Sequence, residues 1–282
     1  MIFVTGANGA LGRLVVRELA GRDDVIFGTR TPRTAAERRV DFDDPSSLDL
    51  TGVDTLLLIS AGYGEDDVVI ARHEGVLAAA EEAGVRHVVY TSLSGDGDHL
   101  PYALAHRWTE RRLARSSLSW TVLRNGLYAE FFAAVAAPAP DGTIVAPLGE
   151  GGLAAVARAD LAAVAARVAT APGAHAGRTY ELVGEQALGG ADLARAIGGR
   201  YRPATLATTR EAIAAAGQAQ PFQVPMLVGT YSAIAGGFLD GTGITDNALR
   251  ALLGREPRPA LDVYRAAVGV GTDPAQDTAA DH

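Results

Sequence analysis

Along the first half of the chain, short apolar runs alternate with longer stretches whose apolar residues recur every three or four positions. Runs at 2–5 (IFVT), 25–29 (VIFGT), 39–42 (RVDF), 53–60 (VDTLLLIS), 85–91 (VRHVVYT) and 120–124 (WTVLR) read as strands. Residues 10–20, with Leu11, Leu14, Val15 and Leu19 in step, read as a helix, as do the alanine-rich 68–84 and 102–116. Gly84 supplies a C-terminal stop for the second of these. Strand and helix in alternation predict βαβ units and a parallel sheet. A run such as LLLIS, apolar without a break, suits a sheet covered on both faces. Right-handed crossovers then leave a doubly wound parallel sheet of the Rossmann type, an α/β fold. The segment after Arg30 has little helical pattern before Val40, so the second crossover is expected to be cut down.

The second half reads differently. Short strands are expected at 143–146 and 179–183, and helices at 159–170, 190–197, 209–216, 222–235, 245–253 and 260–268, with frequent Gly and Pro between them. The pattern predicts a sheet domain over residues 1–150, its sheet completed by parts of 151–185. A smaller, mostly helical lobe is expected over 151–270. Residues 271–282 are polar and end in an acidic stretch, and are expected to form a disordered tail.

Composition narrows the function. Of 282 residues 48% are hydrophobic and 21% charged, enough apolar material for a substantial core. A formal net charge of −8 argues against nucleic acid as the main partner, which wants a basic face. The chain contains no cysteine, which excludes disulfides, thiolate metal sites and cysteine nucleophiles. The start has no signal-peptide pattern, and no apolar run reaches membrane-spanning length, so a cytoplasmic protein without membrane contact is expected, as monomer or homodimer. The histidines lack metal-ligand spacing and no metal is expected. Asp96 and Asp98 read as turn residues, and Ser92 and Ser94 lack the glycines of a nucleophile elbow.

The most informative stretch is TGANGALG, with Gly6, Gly9 and Gly12 three apart where the first strand gives way to the first helix. Gly6 permits a tight turn, Gly9 a close approach of backbone to a pyrophosphate, and Gly12 close packing of helix on strand. Amide groups at a helix start favour a phosphate, and Asn8 can hold the turn through its side chain. The context of strand, loop and helix makes this a dinucleotide-binding fingerprint. A cofactor with a free ribose 2′-hydroxyl is usually met by Asp or Glu after the second strand. Here the sequence reads GTRTPR, and Arg30 and Arg33 suit a 2′-phosphate through charge-assisted bonds. NADPH is therefore expected over NADH. Asp41 and Phe42, after the third strand, offer a polar edge and an aromatic face for adenine, although Phe42 serves core packing equally well.

With these residues in place, the chain resembles an atypical short-chain dehydrogenase/reductase of the NmrA-like group. It is most similar to the type-two NAD(P)H:quinone oxidoreductases and the triphenylmethane reductases. The resemblance rests on TGANGALG, LLLISA, ARHEGVLAAAEEAGVRHVVYTSLSG, WTVLRNGLYAEFF and VARADLAAVAARV, which follow the family's order over about residues 1–200. The later GITDNALRALLGREPRPALDVY resembles the family's C-terminal end. The resemblance implies NADPH lying along the carboxyl ends of the strands. It places Gly6, Ala7, Asn8, Gly9, Ala10 and Leu11 in the phosphate loop and gives Arg30 the 2′-phosphate. It sets Ser60, Ala61 and Gly62 beside the cofactor, with Thr91 and Ser92 ending the fifth strand. Asn125, Gly126, Leu127 and Tyr128 fall near the nicotinamide half, with Arg158 close by.

The wider superfamily uses a Tyr-x-x-x-Lys pair for proton transfer. This chain has Tyr102-x-x-x-His106 instead, a spacing that sets both side chains on one helix face. Either the two form a relay, with His106 and Tyr102 as catalytic residues, or they are ordinary helix residues. Gly75 stands where the family often has Asn, which implies one polar contact fewer near the site. A quinone is already electron-poor and needs no tuned proton donor of the kind that an alcohol–ketone pair requires. The expected activity is hydride transfer from NADPH to a quinone or similar small aromatic molecule. Tyr63 would lie over the pocket, and Phe131 would be an apolar wall unless it is core packing. The alternatives are a non-catalytic NADP-binding redox sensor and a tailoring ketone reductase.

Overall fold

The computed structural model describes residues 1–61 and 64–270. Its chain order is β1 (Ile2–Val4), α1 (Gly12–Glu18), β2 (Val25–Thr29), β3 (Glu37–Arg39), β4 (Thr55–Ile59), α2 (Asp66–Glu82), β5 (His87–Leu93), α3 (Ala103–Ala114) and β6 (Ser119–Asn125). There follow α4 (Phe132–Val135), β7 (Thr143–Ala146), α5 (Arg158–Thr170), β8 (Arg178–Leu182), α6 (Gly190–Ala196), β9 (Arg200–Pro203), α7 (Leu206–Ala216), α8 (Gln223–Ala235), α9 (Leu249–Leu253) and α10 (Ala260–Ala267). Seven strands form one sheet in the order β3-β2-β1-β4-β5-β6-β8. Every pairing is parallel, with Ile2 opposite both Val25 and Thr55, and His87 opposite Thr55 and Ser119. This is the doubly wound Rossmann sheet, and the strand order reverses between β1 and β4. In such sheets the ligand crevice lies at that switch, outside the carboxyl ends of the strands.

The central strands are buried because helices cover both faces. Phe3, Leu56, Leu58, Val88 and Tyr90 pack on one side with Val76 and Leu77 of α2 and Leu113 of α3. Val4, Leu57, Val89 and Leu123 pack on the other with Val15 of α1 and Leu161, Val164 and Val168 of α5. A third apolar cluster joins Phe132, Ile144, Leu148, Leu193, Ile234 and Tyr264. It draws on residues from both sides of position 150. The predicted tail, 271–282, lies outside the described residues.

Several expectations shift. The strand expected at 39–42 is Glu37–Arg39, and the chain then leaves the sheet. The cause is local: Ser47 Oγ accepts the Asp41 amide at 2.8 Å, and Asp41 bridges Asp44. The diverted chain carries Asp41 and Phe42 towards the crevice. The strand expected at 143–146 forms, but it pairs with the unforeseen β9 outside the main sheet. Tyr201 anchors β9, its ring seated where a side chain on Gly190 would collide at 2.4 Å. The helix expected from 245 begins only at Leu249, because Asn247 is occupied in bonding Val183 on both its amide and carbonyl.

Candidate active site

The carboxyl ends of the strands and the helical lobe enclose a cleft of about 1510 Å³. That exceeds the roughly 300–1,000 Å³ typical of a site for one small molecule. One end is made of main chain. Gly6 turns with φ +63°, and its carbonyl accepts the Gly9 amide at 2.9 Å. A Cβ on Gly12 would lie 2.0 Å from that same carbonyl oxygen, so no other residue fits there. Gly6, Asn8, Gly9, Ala10 and Leu11 line the cleft. Ala7 does not: it is buried beneath the loop with its amide on Gly28 O. Asn8 Nδ2 donates to Thr29 Oγ1, which ties the loop to the end of β2.

Arg30 is exposed on the wall of the cleft just past β2. Arg33 is not among the described lining residues, and its amide is held by Glu37 instead. The second guanidinium on this wall belongs to Arg72 of α2, which bonds Asp43 at 2.6 and 2.9 Å. That contact holds the Asp43 carboxyl below its usual range.

The chain beyond β4 is fastened twice. The Ser60 amide donates to Thr91 Oγ1 at 3.0 Å, and the Ala61 amide donates to His73 Nε2 at 2.9 Å. Because Nε2 accepts, neutral His73 carries its proton on Nδ1 and donates it to Thr109 Oγ1 at 2.7 Å. Thr109 in turn donates to Ala105 O at 2.8 Å. His73 is wholly buried, and desolvation lowers its pKa to about 3. Gly62 and Tyr63 lie outside the described residues. Ser92 lines the cleft, and its hydroxyl donates to Glu110 at 2.6 Å. Burial opposes ionisation of Glu110, but bonds from Arg124 and Ser92 outweigh it and hold its pKa below the ordinary value.

Asn125 ends β6. It is only 5% exposed, and its Oδ1 is buried without a partner, although the residue borders the cleft. Gly126 follows with its amide on Leu182 O at 2.8 Å, and a Cβ there would press on Leu182 O and Val183 Cα at 3.2–3.3 Å. Leu127, Tyr128, Phe131 and Arg158 also line the cleft. The Arg158 guanidinium lies 4.6 Å over the Tyr128 ring, with its Nε buried and unpartnered. Glu130 accepts the Arg158 amide at the start of α5.

His106 and Tyr102 both face the cleft, but the hydrogen bond at His106 comes from elsewhere. His106 Nδ1 lies 2.9 Å from the hydroxyl of Tyr90, a fully buried residue of β5. The Tyr102 hydroxyl lies 3.3 Å from Thr230 Oγ1 of α8, and His106 Nδ1 is paired with Tyr90. Gly75 does not border the cleft. A Cβ there would meet Leu48 at 3.6 Å, an ordinary contact.

Sequence reading missed His73, Arg72 and Tyr90, and also Ile213, Met226 and Leu227 of α7 and α8, which close the cleft from the lobe side. His73 and Tyr90 sit in stretches that read as core. The lobe residues sit on ordinary apolar helices, and no local pattern marks them.

An NAD(P)H molecule suits these residues. The loop is bare of side chains where a phosphate would press, and buried Asn125 Oδ1 and Arg158 Nε in the same cleft await partners. Comparison with known proteins agrees. A family model described as NAD(P)H-binding matches residues 6–172. Quinone oxidoreductase 2 of Escherichia coli is 38% identical over 202 residues, 66% of this chain and 70% of that protein. An NAD(P)H azoreductase of Xenophilus azovorans is 28% identical over 238 residues, 77% and 82% of the two chains. The structure of a Citrobacter triphenylmethane reductase complexed with NADP(H) superposes with a TM-score of 0.84 at 31% identity, covering 94% of this chain and 99% of that one. The chain belongs to the NAD(P)H-binding family and is an NAD(P)H-dependent oxidoreductase.

Proposed function

We propose that the protein is an NADPH-dependent reductase that passes hydride to a quinone or a similar electron-poor aromatic molecule. One observation carries this reading: a single cleft joins a dinucleotide-type loop to an apolar chamber, and no Tyr–Lys pair stands between them. The chamber is walled by Tyr102, Leu127, Phe131, Met226 and Leu227, and these apolar and aromatic side chains would suit an aromatic ring. Bound NADPH supplies a hydride, and the protein contributes position, desolvation and charge.

Each residue then has a part. The Gly6–Leu11 loop takes the pyrophosphate, and Arg30 takes the 2′-phosphate through bonds that an NADH ribose lacks. Ser60 and Ala61, fixed by Thr91 and His73, form a rigid floor beside the dinucleotide. Asn125 Oδ1, buried and unpartnered, would be available to accept an N–H of the bound cofactor, and Gly126 would leave room beside it. The 38% identity to a quinone oxidoreductase supports the acceptor class.

The test is an NADPH oxidation assay against a panel of quinones, azo dyes, triphenylmethane dyes and ketones, with NADH as control. Quinones are expected to give the highest kcat/KM, and NADPH to exceed NADH by about tenfold or more. Turnover confined to ketones would overturn the reading, as would the absence of turnover with every acceptor.

A further inference from the structure

The hydroxyl of Tyr90 is the hub of a buried polar cluster that the reading above does not use. Tyr90 is fully buried on β5, its ring edge-on to His73 at 5.5 Å. Its oxygen lies 2.9 Å from His106 Nδ1, and the Thr109 and Ser60 side chains temper the rise that burial gives its pKa. Proton accounting orients the cluster. The Thr109 proton goes to Ala105 O, and Thr109 Oγ1 already accepts from His73 Nδ1. Among the described residues His106 Nδ1 is the acceptor within hydrogen-bond distance of the buried Tyr90 hydroxyl, so the Tyr90 proton is directed there. A neutral imidazole that accepts at Nδ1 carries its proton on Nε2. His106 lines the cleft, and its Nε2 has no hydrogen-bond partner among the described residues.

Resting on the quinone-reductase reading, we propose that Tyr90 locks His106 as a neutral Nε2–H donor that hydrogen-bonds the acceptor oxygen as negative charge develops there. His106 is then a catalytic residue and Tyr90 a positioning residue. The balance is simple. The hydride of NADPH delivers one hydrogen and two electrons to the ring, NADP⁺ is formed, and electron density moves onto the quinone oxygen. Nε2–H stabilises that oxygen by hydrogen bonding and keeps its own proton, since its loss would leave an imidazolate. The proton that completes the hydroquinone comes from water through the open cleft. A prearranged donor at developing oxyanion charge is worth about 10²–10³ in rate. Neutrality is held by the surroundings. Burial lowers the His106 pKa to about 4, with Arg107 lowering it further and Glu110 opposing. His73 of α2 and Tyr90 of β5 face it from the neighbouring elements, and burial raises the Tyr90 pKa, which keeps that hydroxyl a donor.

The test uses the full chain with NADP⁺ bound. Nitrogen-15 NMR of the histidine rings at neutral pH should show Nδ1 of His106 as pyridine-type and Nε2 as pyrrole-type. In Tyr90→Phe the hydrogen-bond signature on Nδ1 should vanish and kcat with quinone should fall several-fold, with KM for NADPH unchanged. His106→Ala should lose about 100-fold in kcat, and His106→Gln, whose amide can still donate, should recover part of it. A proton on Nδ1, or full activity of His106→Ala in a preparation whose wild type reduces quinones, would overturn the proposal. If the wild type reduces no quinone, the reading of function fails, and the ring spectrum still decides whether Tyr90 sets the tautomer.

Discussion

The two ends of the cleft are built on opposite principles. At the dinucleotide end the shape comes from main chain, and what matters is the side chains that are missing. At the acceptor end the shape comes from side chains on α3, α7, α8 and the loop after β6, and what matters is how distant segments meet. The first kind of site is unforgiving: Gly12 faces the Gly6 carbonyl at a distance that no Cβ tolerates. The second is forgiving, because one apolar residue substitutes for another at modest cost. The contrast implies that single changes at the loop abolish function, whereas changes in the chamber tune it.

The largest effect should come from the loop. Gly12→Val should eliminate measurable NADPH binding by calorimetry and lower the melting temperature, since the helix start must part from the turn. Survival of binding would mean that the close approach is not needed.

Acid should come next, acting beneath both ends at once through His73. Its folded-state pKa, about 3, lies below its unfolded value near 6.5. The unfolded chain therefore binds the extra proton, and this contribution to stability is fully present above pH 6.5 and lost as pH falls towards 3. The slope approaches about 1.4 kcal/mol per pH unit within that window. Denaturant midpoints measured from pH 7 to 4 should fall in the wild type and fall less steeply in a His73→Gln variant.

At the junction of the two ends, Gly126→Val should reduce turnover about 100-fold through misplacement of the reacting rings. NADPH binding should weaken far less, which the ratio of kcat to the calorimetric Kd will show. The smallest change belongs to the chamber: Tyr102→Phe removes the 3.3 Å contact with Thr230 and should alter kcat/KM by less than about threefold.

The same contrast explains what could be read from the amino acids. The loop was legible because one physical need, backbone without Cβ between a strand and a helix, admits one residue type. The parallel sheet was legible because IFV, LLLI and HVVY have the unbroken apolar character of strands covered on both faces. The Tyr90–His106 pair was not legible, since Tyr90 in HVVYTSL looks like any core aromatic and its partner comes from a separate helix. Arg72 was hidden in the same way: it lies far along the chain from Arg30, on a separate helix, yet both line the cleft. The strand β9 escaped notice because RYRP has one apolar anchor, and its pairing partner lies more than fifty residues away.

The most direct test of NADPH selection in this cleft is a calorimetric titration of wild type and Arg30→Ala with NADPH and with NADH. Wild type should bind NADPH at least about tenfold more tightly than NADH, and Arg30→Ala should erase that difference by weakening NADPH alone. Equal affinities for the two coenzymes in wild type, or an unchanged preference in Arg30→Ala, would contradict it.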